Sequence, residues 1–302
     1  MNISVCIATW RRPGRLRALL EDLAGQSLLP AEVVVVDNDA AASAAGTVGE
    51  FARRRPPFRL RYAVQPLRNI ALTRNRTVEL ARGDWLAFVD DDERAPPQWL
   101  QQLAAAAERY DSACVLGPVD PAVPSEAPAW IRRGRFYDFP RLASGSVVPL
   151  NRLRFGNVLI KAAPLRAEPG PFNVAYGLRT GEDGDLLARL ARKGLLIVWC
   201  DEAIVVEPVE PARLSLYWLL QRALSGGQEF ARKSIAGLYG QLGAAGRTRL
   251  FAQALAQLLV AALLAVLTLP AGRHHAAHWL TRASANLGKL SVLWGWHYNE
   301  YA

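Results

Sequence analysis

The chain has 302 residues, 51% apolar and 21% charged, so it can bury a full core and is too apolar for a disordered protein. Its three cysteines, Cys6, Cys114 and Cys200, lie far apart, which excludes a disulfide framework and a zinc site and predicts buried thiols in a reducing compartment. The first residues lack the pattern of a signal peptide, so we expect the folded part to stay in the cytoplasm.

The net charge of +9 is concentrated towards the C-terminal end. Residues 211–302 contain nine Lys and Arg against two Glu, which places +7 of the charge there. All four histidines also follow residue 273, so the rest of the chain has carboxylates for acid–base chemistry. A basic segment interleaved with apolar runs and tryptophans suits an anionic membrane surface better than nucleic acid. We therefore expect a membrane partner and no nucleic-acid partner.

Strand-like and helix-like segments alternate through residues 1–117. Apolar or alternating runs predict strands, and apolar residues at helical spacing predict helices. The predicted strands are Ile3–Thr9, 31–36, 58–64, Trp85–Val89 and 112–117, and the predicted helices are 16–23, 70–81 and 98–110. This alternation is typical of an α/β fold with a mostly parallel sheet flanked by helices. In such sheets ligands bind at the carboxyl ends of the strands.

The pattern changes after residue 117. Residues 118–150 are rich in Pro, Arg and aromatic residues without periodicity, and we interpret them as a long surface loop. Ordered patterns resume at Asn157–Lys161, in a helix that begins at Glu182, and at 195–199. Residues 212–245 look helical, with a break at Gly226-Gly227.

Residues 250–269 form an apolar segment of twenty residues without a charge. At about 1.5 Å per residue, a helix of this length matches a hydrocarbon core of roughly 30 Å. Pro270 ends the segment, and the residues after it are amphipathic and rich in tryptophan, which suits a membrane interface. A single crossing, a re-entrant hairpin and an in-plane helix all fit this pattern. The alternative to membrane contact is a buried helix of a soluble protein or a dimer surface.

Three consecutive carboxylates, Asp90, Asp91 and Asp92, directly follow the predicted strand Trp85–Val89. Adjacent carboxylates repel one another unless a cation neutralises them. Mg²⁺ and Mn²⁺ prefer oxygen ligands, take one or two carboxylates, and complete their shell with phosphate oxygens and water. A diphosphate would supply those oxygens, and the metal would stabilise the charge that grows on its departure. The alternative is a solvated acidic turn.

Glu182 and Asp183 form a second acidic pair at the start of a predicted helix. Because a hydroxyl group is too weakly acidic to attack unaided, a positioned carboxylate must accept its proton. The helix macrodipole also favours negative charge at this end, so simple helix capping is the alternative. Asp185 lies two residues further on, and we expect it to face solvent or Arg189.

Several motifs together resemble the family 2 glycosyltransferases, which have the GT-A fold. They are ISVCIATWRR at 3–12, the strand end VVVVDN, NIALTRN at 69–75, Gly83-Asp84, FVDDDE at 88–93 and GEDGDLLARL at 181–190. Residues 210–227 and the apolar C-terminal segment are similar to the subgroup that adds glucose during succinoglycan-type exopolysaccharide assembly. The resemblance implies a catalytic domain at 1–211, with nucleotide-sugar binding in 1–117 and acceptor binding and catalysis in 118–211. A helical membrane-associating region would follow at 212–302.

The resemblance also implies roles for individual residues. At the donor, Asp37 or Asp39 would face the base, Arg74 and Arg222 would contact the diphosphate, and Asp90 would contact the ribose, with Asp91 between Asp90 and Asp92. Asp92, together with Asp90, would hold Mn²⁺ or Mg²⁺. Asp183 would be the catalytic base, with Glu182 as the competing candidate. For Arg74 the alternative is an ordinary charge on a helix surface.

We therefore expect a metal-dependent, inverting hexosyltransferase whose donor is a nucleoside-diphosphate sugar, UDP-glucose in the first place. The acceptor would be a carbohydrate linked to polyprenyl diphosphate, at the cytoplasmic face of the cell membrane. One alternative is a sugar-nucleotide nucleotidyltransferase, for which Arg11-Arg12-Pro-Gly is a poor version of the required loop. The other is a non-catalytic basic protein that binds membrane or nucleic acid, which leaves both acidic motifs without a role.

Overall fold

The structure is a computed structural model, and it describes residues 1–176 and 181–295. The chain forms two compact units, each of which draws on two stretches of sequence. Unit 1 comprises Met1–Asp120 and Phe139–Glu207, and unit 2 comprises Pro121–Asp138 and the residues from Pro208 on. The last tryptophan and histidine of the predicted interfacial segment, Trp296 and His297, lie outside the described residues.

The core of unit 1 is a seven-stranded sheet with the order β3-β2-β1-β4-β7-β5-β8. The strands are β1 (Ile3–Thr9), β2 (Glu32–Asp37), β3 (Arg59–Val64), β4 (Trp85–Val89), β5 (Cys114–Leu116), β6 (Val119–Ala122), β7 (Asn157–Lys161), β8 (Ile197–Trp199) and β9 (Val205–Pro208). β6 and β9 form a separate two-stranded sheet. Within the large sheet, β7 runs antiparallel to β4 and β5, and the other pairs are parallel.

Helices cover both faces of this sheet. The helices of the chain are α1 (Pro13–Ala24), α2 (Ala45–Arg53), α3 (Ile70–Leu80), α4 (Trp99–Arg109), α5 (Ala129–Gly134), α6 (Ala162–Arg166), α7 (Glu182–Arg192), α8 (Leu216–Ile235), α9 (Ala244–Thr268) and α10 (Arg273–Ser291). Side chains of α1, α2 and α4 pack with one face of the sheet, and those of α3, α6 and α7 pack with the other. Strands covered in this way are buried on both faces, which explains the continuous apolar runs of β2 and β4. The predicted α/β fold with a mostly parallel sheet flanked by helices is confirmed.

Two segments of the chain have a secondary structure that differs from the one predicted from the sequence. Residues 45–53 form α2, for which no helix was predicted, because this Ala- and Gly-rich segment buries only Thr47, Val48 and Phe51. Residues 118–150 contain β6 and α5, so their interpretation as loop throughout is wrong. The three cysteines are buried and unpaired, as predicted.

The segment 121–138 belongs to unit 2, whereas the sequence placed it in the acceptor half of a domain ending at residue 211. The physical reason is a small apolar cluster in which Ile131 and Tyr137 are buried together with Val209 and Leu219. The rings of Tyr137 and Trp218 stack in this cluster with centroids 5.8 Å apart. Because these partners are distant in sequence, local periodicity does not reveal them. The assignment of donor binding, acceptor binding and membrane association to separate ranges of the chain stays a prediction.

In unit 2, α10 packs against both α8 and α9. Its contact with α8 is close enough to require glycine: a Cβ on Gly227 would lie 1.9 Å from the carbonyl oxygen of Ala285, and a Cβ on Gly288 would lie 2.1 Å from that of Leu224. Among the residues that the structure describes, one helical stretch, Ala244–Ala271, is long and apolar enough to cross a membrane.

Candidate active site

The sheet brings three of the sequence motifs to one edge. β1 pairs with β2 on one side and with β4 on the other, so their carboxyl ends lie next to one another. Thr9 at the end of β1 is in register with Asp37 at the end of β2, and Asp90 follows the last residue of β4. The residues after β1, β2 and β4 therefore meet at one edge of the sheet in unit 1, the edge at which ligands of parallel sheets bind.

Arginines from the segment after β1 neutralise part of the Asp90–Asp92 motif. Arg12 Nη1 donates to Asp91 Oδ1 and Asp92 Oδ2, at 2.9 Å each, and Arg15 Nη1 lies 3.4 Å from Asp92 Oδ2. Thr9 Oγ1 donates to Asp91 Oδ2 at 2.7 Å. Asp91 and Asp92 are buried, and burial raises the pKa of Asp91 to about 6 although Arg12 lowers it. The motif is thus an ion-paired cluster and not a solvated acidic turn.

Arg74 on α3 connects the two acidic motifs. Its Nη1 donates to Glu182 Oε1 at 2.5 Å, and its Nη2 donates to Asp90 Oδ1 at 3.1 Å. Its Cζ lies 5.2 Å and 5.9 Å from the ring centroids of Phe155 and Phe172, so the guanidinium is held between apolar walls and two carboxylates. Arg74 is buried, and the alternative of an ordinary charge on a helix surface is wrong. Motifs that are far apart in sequence therefore meet in one site.

The two carboxylates at the start of α7 have different surroundings. Gly181 precedes them with φ 114°, a left-handed conformation that favours glycine. Glu182 is buried against Arg74, whereas the Asp183 side chain is partly exposed and its Oδ1 accepts a hydrogen bond from the backbone N–H of Gly184 at 2.6 Å. Asp185 is buried, and its Oδ2 accepts from Arg189 Nε at 2.9 Å, which is one of the two surroundings expected for it.

Asp37 organises the loop after β2. It is fully buried, and its carboxylate accepts hydrogen bonds from the backbone N–H of Ala44 at 2.7 Å, from that of Asp39 at 3.1 Å and from the Tyr62 hydroxyl at 3.0 Å. Asp39 Oδ2 in turn accepts from Arg11 Nε at 3.1 Å. These bonds fix the loop at this edge of the sheet, and a role of either aspartate at the donor base stays a prediction.

Arg222 is an exposed residue of α8 in unit 2. Arg222 therefore belongs to a different unit from Arg74 and the Asp90–Asp92 motif. Its contact with the diphosphate also stays a prediction.

The donor set around Asp90 fits a hard divalent cation that binds through few protein ligands. Among residues 1–176 and 181–295, no three His, Cys, Asp or Glu side chains are arranged to hold a metal. Mg²⁺ and Mn²⁺ need only one or two carboxylates when phosphate oxygens and water complete the shell. Desolvation raises the pKa of Asp90, Arg74 lowers it, and the like charges of Asp92 and Asp183 raise it. Because 44% of the Asp90 side chain is exposed, water offsets part of the desolvation, and the nearby like charges favour a bound cation.

Three residues near the acidic motif had no role predicted from the sequence: Arg15, Glu93 and Gly156. Glu93 is buried, and its Oε2 accepts from the backbone N–H of Asp90 at 3.0 Å, which holds the start of the acidic motif in place. Burial raises the pKa of Glu93 well above its usual range, and the charge of Asp90 adds to the effect. A Cβ on Gly156 would lie 2.6 Å from Glu93 Oε1, so a larger residue would displace this carboxyl. Glu93 is the fourth acidic residue of FVDDDE, and this position was the signal in the sequence that could have identified it.

A sequence model described as Glycosyl transferase family 2 matches residues 4–163, which is more than half of the chain. The chain is a family 2 glycosyltransferase. The matched range contains Arg74 and the Asp90–Asp92 motif, and it ends before α7.

Curated relatives of this glycosyltransferase cover most of its length. It is 35% identical over 239 residues to succinoglycan biosynthesis protein ExoM of Rhizobium meliloti (strain 1021), a match that covers 77% of this chain and 75% of that protein. It is 28% identical over 231 residues to galactofuranosyltransferase GlfT1 of Mycobacterium tuberculosis (strain ATCC 25618 / H37Rv), covering 68% and 70% of the two chains.

Solved structures show the same fold. The mannosyltransferase PcManGT from Pyrobaculum calidifontis, in complex with GDP-Man and Mn²⁺, superposes with a TM-score of 0.67 at 20% identity and covers 98% of this chain and 88% of its own. S. aureus TarS 1–349 in complex with UDP-GlcNAc gives a TM-score of 0.55 at 18% identity, covering 99% and 93%. At these identities the likeness is one of fold, and the predicted GT-A fold is confirmed.

Proposed function

We propose that this family 2 glycosyltransferase is a metal-dependent, inverting hexosyltransferase that builds an exopolysaccharide or another surface glycan, with glucose from UDP-glucose as the first candidate donor. The observation that carries the proposal is Arg74, which contacts Asp90 and Glu182 at once and so unites both acidic motifs in one site. Relatives support the details: ExoM is a succinoglycan biosynthesis protein, and the structures of similar fold hold UDP-GlcNAc or GDP-Man with Mn²⁺.

At the donor end, the residues present suit a nucleoside diphosphate. Asp92 and Asp90 would hold Mn²⁺ or Mg²⁺, and such an ion neutralises charge that develops on a departing diphosphate. Arg12 and Arg15 keep Asp92 in position, because both guanidinium groups contact its carboxylate. Arg74 already contacts Asp90, and a guanidinium binds phosphate oxygens with the same fork geometry as it binds carboxylates. We therefore assign Arg74 to the diphosphate.

At the acceptor end, Asp183 is the residue assigned to proton transfer. The Glu182 carboxylate is engaged by Arg74, whereas Asp183 begins the same helix with a partly exposed side chain. The acceptor hydroxyl would form its bond to the anomeric carbon on the face opposite the nucleotide, while the bond from that carbon to the diphosphate breaks and its electron pair leaves with the nucleotide. The hydroxyl proton passes to Asp183. Attack on the opposite face inverts the configuration.

Unit 2 supports a proposal for the acceptor and for the place of action. We propose a carbohydrate linked to polyprenyl diphosphate as the acceptor, and association with the cytoplasmic face of the cell membrane through the C-terminal helices. The support is the apolar stretch Ala244–Ala271 together with the basic charge of residues 211–302. A nucleotidyltransferase is less well supported, because Arg12 of its supposed phosphate loop binds Asp91 and Asp92 instead.

Sugar transfer by the purified full-length protein tests the proposal, with a panel of nucleotide sugars as donors and a lipid extract as the source of acceptor. We expect EDTA to abolish transfer, Mn²⁺ or Mg²⁺ to restore it, and NMR to show a β-linked glucose from the α-linked donor. In the presence of Mn²⁺ or Mg²⁺, Asp92→Asn should weaken donor binding roughly 10- to 100-fold, which is the effect of losing one contact to a charged group. Asp120→Asn, at an exposed ion pair of unit 1, is the matched control. Full activity in EDTA would contradict the metal assignment.

A further inference from the structure

Unit 2 leaves an apolar face of α9 exposed to solvent. Seven large apolar side chains on this helix and the turn after it are at least half exposed: Leu255, Leu259, Val260, Leu263, Val266, Leu267 and Leu269. They are spaced so that they cover about half of the helix circumference, which we call the outer face of α9. A contiguous exposed apolar surface of this kind marks an interaction site.

The opposite side of α9 is occupied by α10. The buried residues of α9 are the small ones, Ala254, Ala261 and Ala265, and α10 is the main neighbour of the helix. A single 3₁₀ turn, Leu269–Ala271, followed by Gly272 joins the two helices, so they form an antiparallel pair. Small residues allow two helix backbones to approach closely along their length. Any environment that receives all of α9 must therefore also receive α10.

α10 is a polar helix that is fixed to α8. Its exposed residues include His275, His278 and Arg282, which recur at helical spacing along one side of the helix. On another side, Gly227 of α8 and Gly288 of α10 bring the two backbones into contact, and Ser284 Oγ donates to the carbonyl oxygen of Leu220 at 2.7 Å. α10 therefore cannot move into lipid without α8.

A bilayer crossing or a re-entrant hairpin would conflict with this arrangement. Either would carry Arg282, in the middle of α10, into the hydrocarbon, and a charged side chain at that depth is strongly unfavourable. The electrostatics favour the surface of a membrane instead. Between Glu229 and Glu300 the chain has no acidic residue, while Arg247 and Arg249 precede the outer face and Arg273 follows it. This charge is complementary to anionic lipid headgroups.

We infer that α9 lies in the plane of the membrane, with its outer face inserted into a single leaflet of anionic lipid and with α10 and α8 on the water side. The inference rests on the membrane association proposed above and specifies its geometry. Insertion depth should then follow the helical period, deepest at Leu263 and shallowest on the side that contacts α10. It should show no trend from one end of α9 to the other, because the axis is parallel to the surface.

Depth measurements on the full-length protein in phosphatidylcholine–phosphatidylglycerol vesicles test the geometry. Single variants Leu255→Cys, Leu259→Cys, Leu263→Cys and Leu267→Cys carry a fluorescent label, and His278→Cys on α10 is the control for the water side. The native cysteines are buried and should not react. We expect brominated lipids to quench the four α9 labels at shallow depths, deepest at residue 263, and to leave the α10 label unquenched. A depth that changes steadily from 255 to 267, or peaks at the bilayer centre, would overturn the in-plane geometry while membrane association stands.

Vesicle binding separates this inference from the proposed membrane association. The triple variant Leu259→Glu, Leu263→Glu, Val266→Glu should partition into the same vesicles at least about tenfold more weakly. Val147→Glu, an exposed apolar position of unit 1, should bind as the wild type does. Unchanged binding of the triple variant would overturn the outer face as the contact. If the wild type does not bind vesicles but dimerises, and the triple variant is monomeric, a second copy covers the outer face of α9. Both the inference and the membrane association then fail.

Discussion

Charged side chains are usually exposed and large apolar side chains are usually buried. Unit 1 departs from the first rule and unit 2 from the second. Unit 1 buries charged side chains, since Arg74, Asp91, Asp92 and Glu182 are each less than a tenth exposed. Unit 2 exposes large apolar side chains along α9. Burying a charge costs free energy unless it is paired, and an exposed apolar patch marks a contact. The difference agrees with the roles proposed above, binding of an ionic donor for unit 1 and contact with an apolar phase for unit 2.

The two units also differ in where the compensation comes from. In unit 1 the buried charges are paired with one another, because Arg12 contacts Asp91 and Asp92 and Arg74 contacts Glu182. In unit 2 the described residues do not cover the outer face of α9. The buried charges of unit 1 are therefore neutralised within the unit, and breaking these ion pairs should change both the stability and the activity of the protein. The outer face of α9 can be altered without disturbing the fold.

The largest effect should come from removing the proton acceptor of unit 1. Asp183→Asn keeps the shape of the side chain but cannot accept a proton, so we expect kcat to fall by about 10²–10⁴. Donor affinity and thermal stability should stay near their wild-type values, because Asp183 is partly exposed and takes no part in the buried ion pairs described above. Steady-state kinetics and a thermal unfolding curve measure both.

Glu182→Gln provides the comparison within the same helix. Its side chain holds Arg74, so this variant should lose stability and donor affinity together and show the smaller loss of kcat. If Glu182→Gln were inactive while Asp183→Asn turned over normally, the base would be Glu182. If both variants stayed active, the acidic pair would have only a structural role.

The second largest effect should come from breaking the buried ion pairs. Arg74→Met leaves Glu182 buried without this cation, and such a change commonly costs about 3–5 kcal/mol of stability. Arg76→Met on the same helix removes an exposed pair with Glu79 and should cost less than about 1 kcal/mol. Urea unfolding of the two variants measures the difference. Equal losses would show that burial of charge is not what distinguishes unit 1.

The smallest effect concerns two adjacent glycines of α8. Gly227→Ala would force a Cβ against the backbone of α10 and should destabilise the protein by about 1–3 kcal/mol. Gly226→Ala has no atom within 4 Å of its new Cβ and should stabilise the helix by up to about 1 kcal/mol. Thermal unfolding gives the sign of each change. The same sign for both would contradict the close contact of α8 and α10 on which the in-plane geometry depends.

The fold was predictable where burial is recorded in local sequence. The strands β2 and β4 are continuous apolar runs because both faces are covered, and α1 and α4 repeat their apolar residues with the helical period. The helix α2 gave a weak signal because it is short and contains two glycines and few large apolar residues. Membership of 121–138 in unit 2 depends on Val209 and Leu219, which no local pattern reveals.

The candidate site was predictable as a set of residues but not as a set of contacts. The motifs around Arg74, Asp90–Asp92 and Glu182 were recognisable in the sequence, and the structure brings them together. The pairing of Arg12 with Asp91 and Asp92 depends on β1 lying next to β4, which is a property of the sheet order. The burial of Asp37 beneath its own loop likewise required the fold.

The antiparallel strand β7 also has a consequence for the synthesis of the chain. The ribosome makes β1 to β5 before β7, and β1 to β4 are neighbours in the finished sheet. β5 has no place beside β4 until β7 arrives between them. In a nascent chain, the strand that precedes the Asp90–Asp92 motif therefore has one open edge, and open edges can pair with other chains. That stage ends when Asn157–Lys161, which is synthesised later than β4, pairs with the open edge of β4.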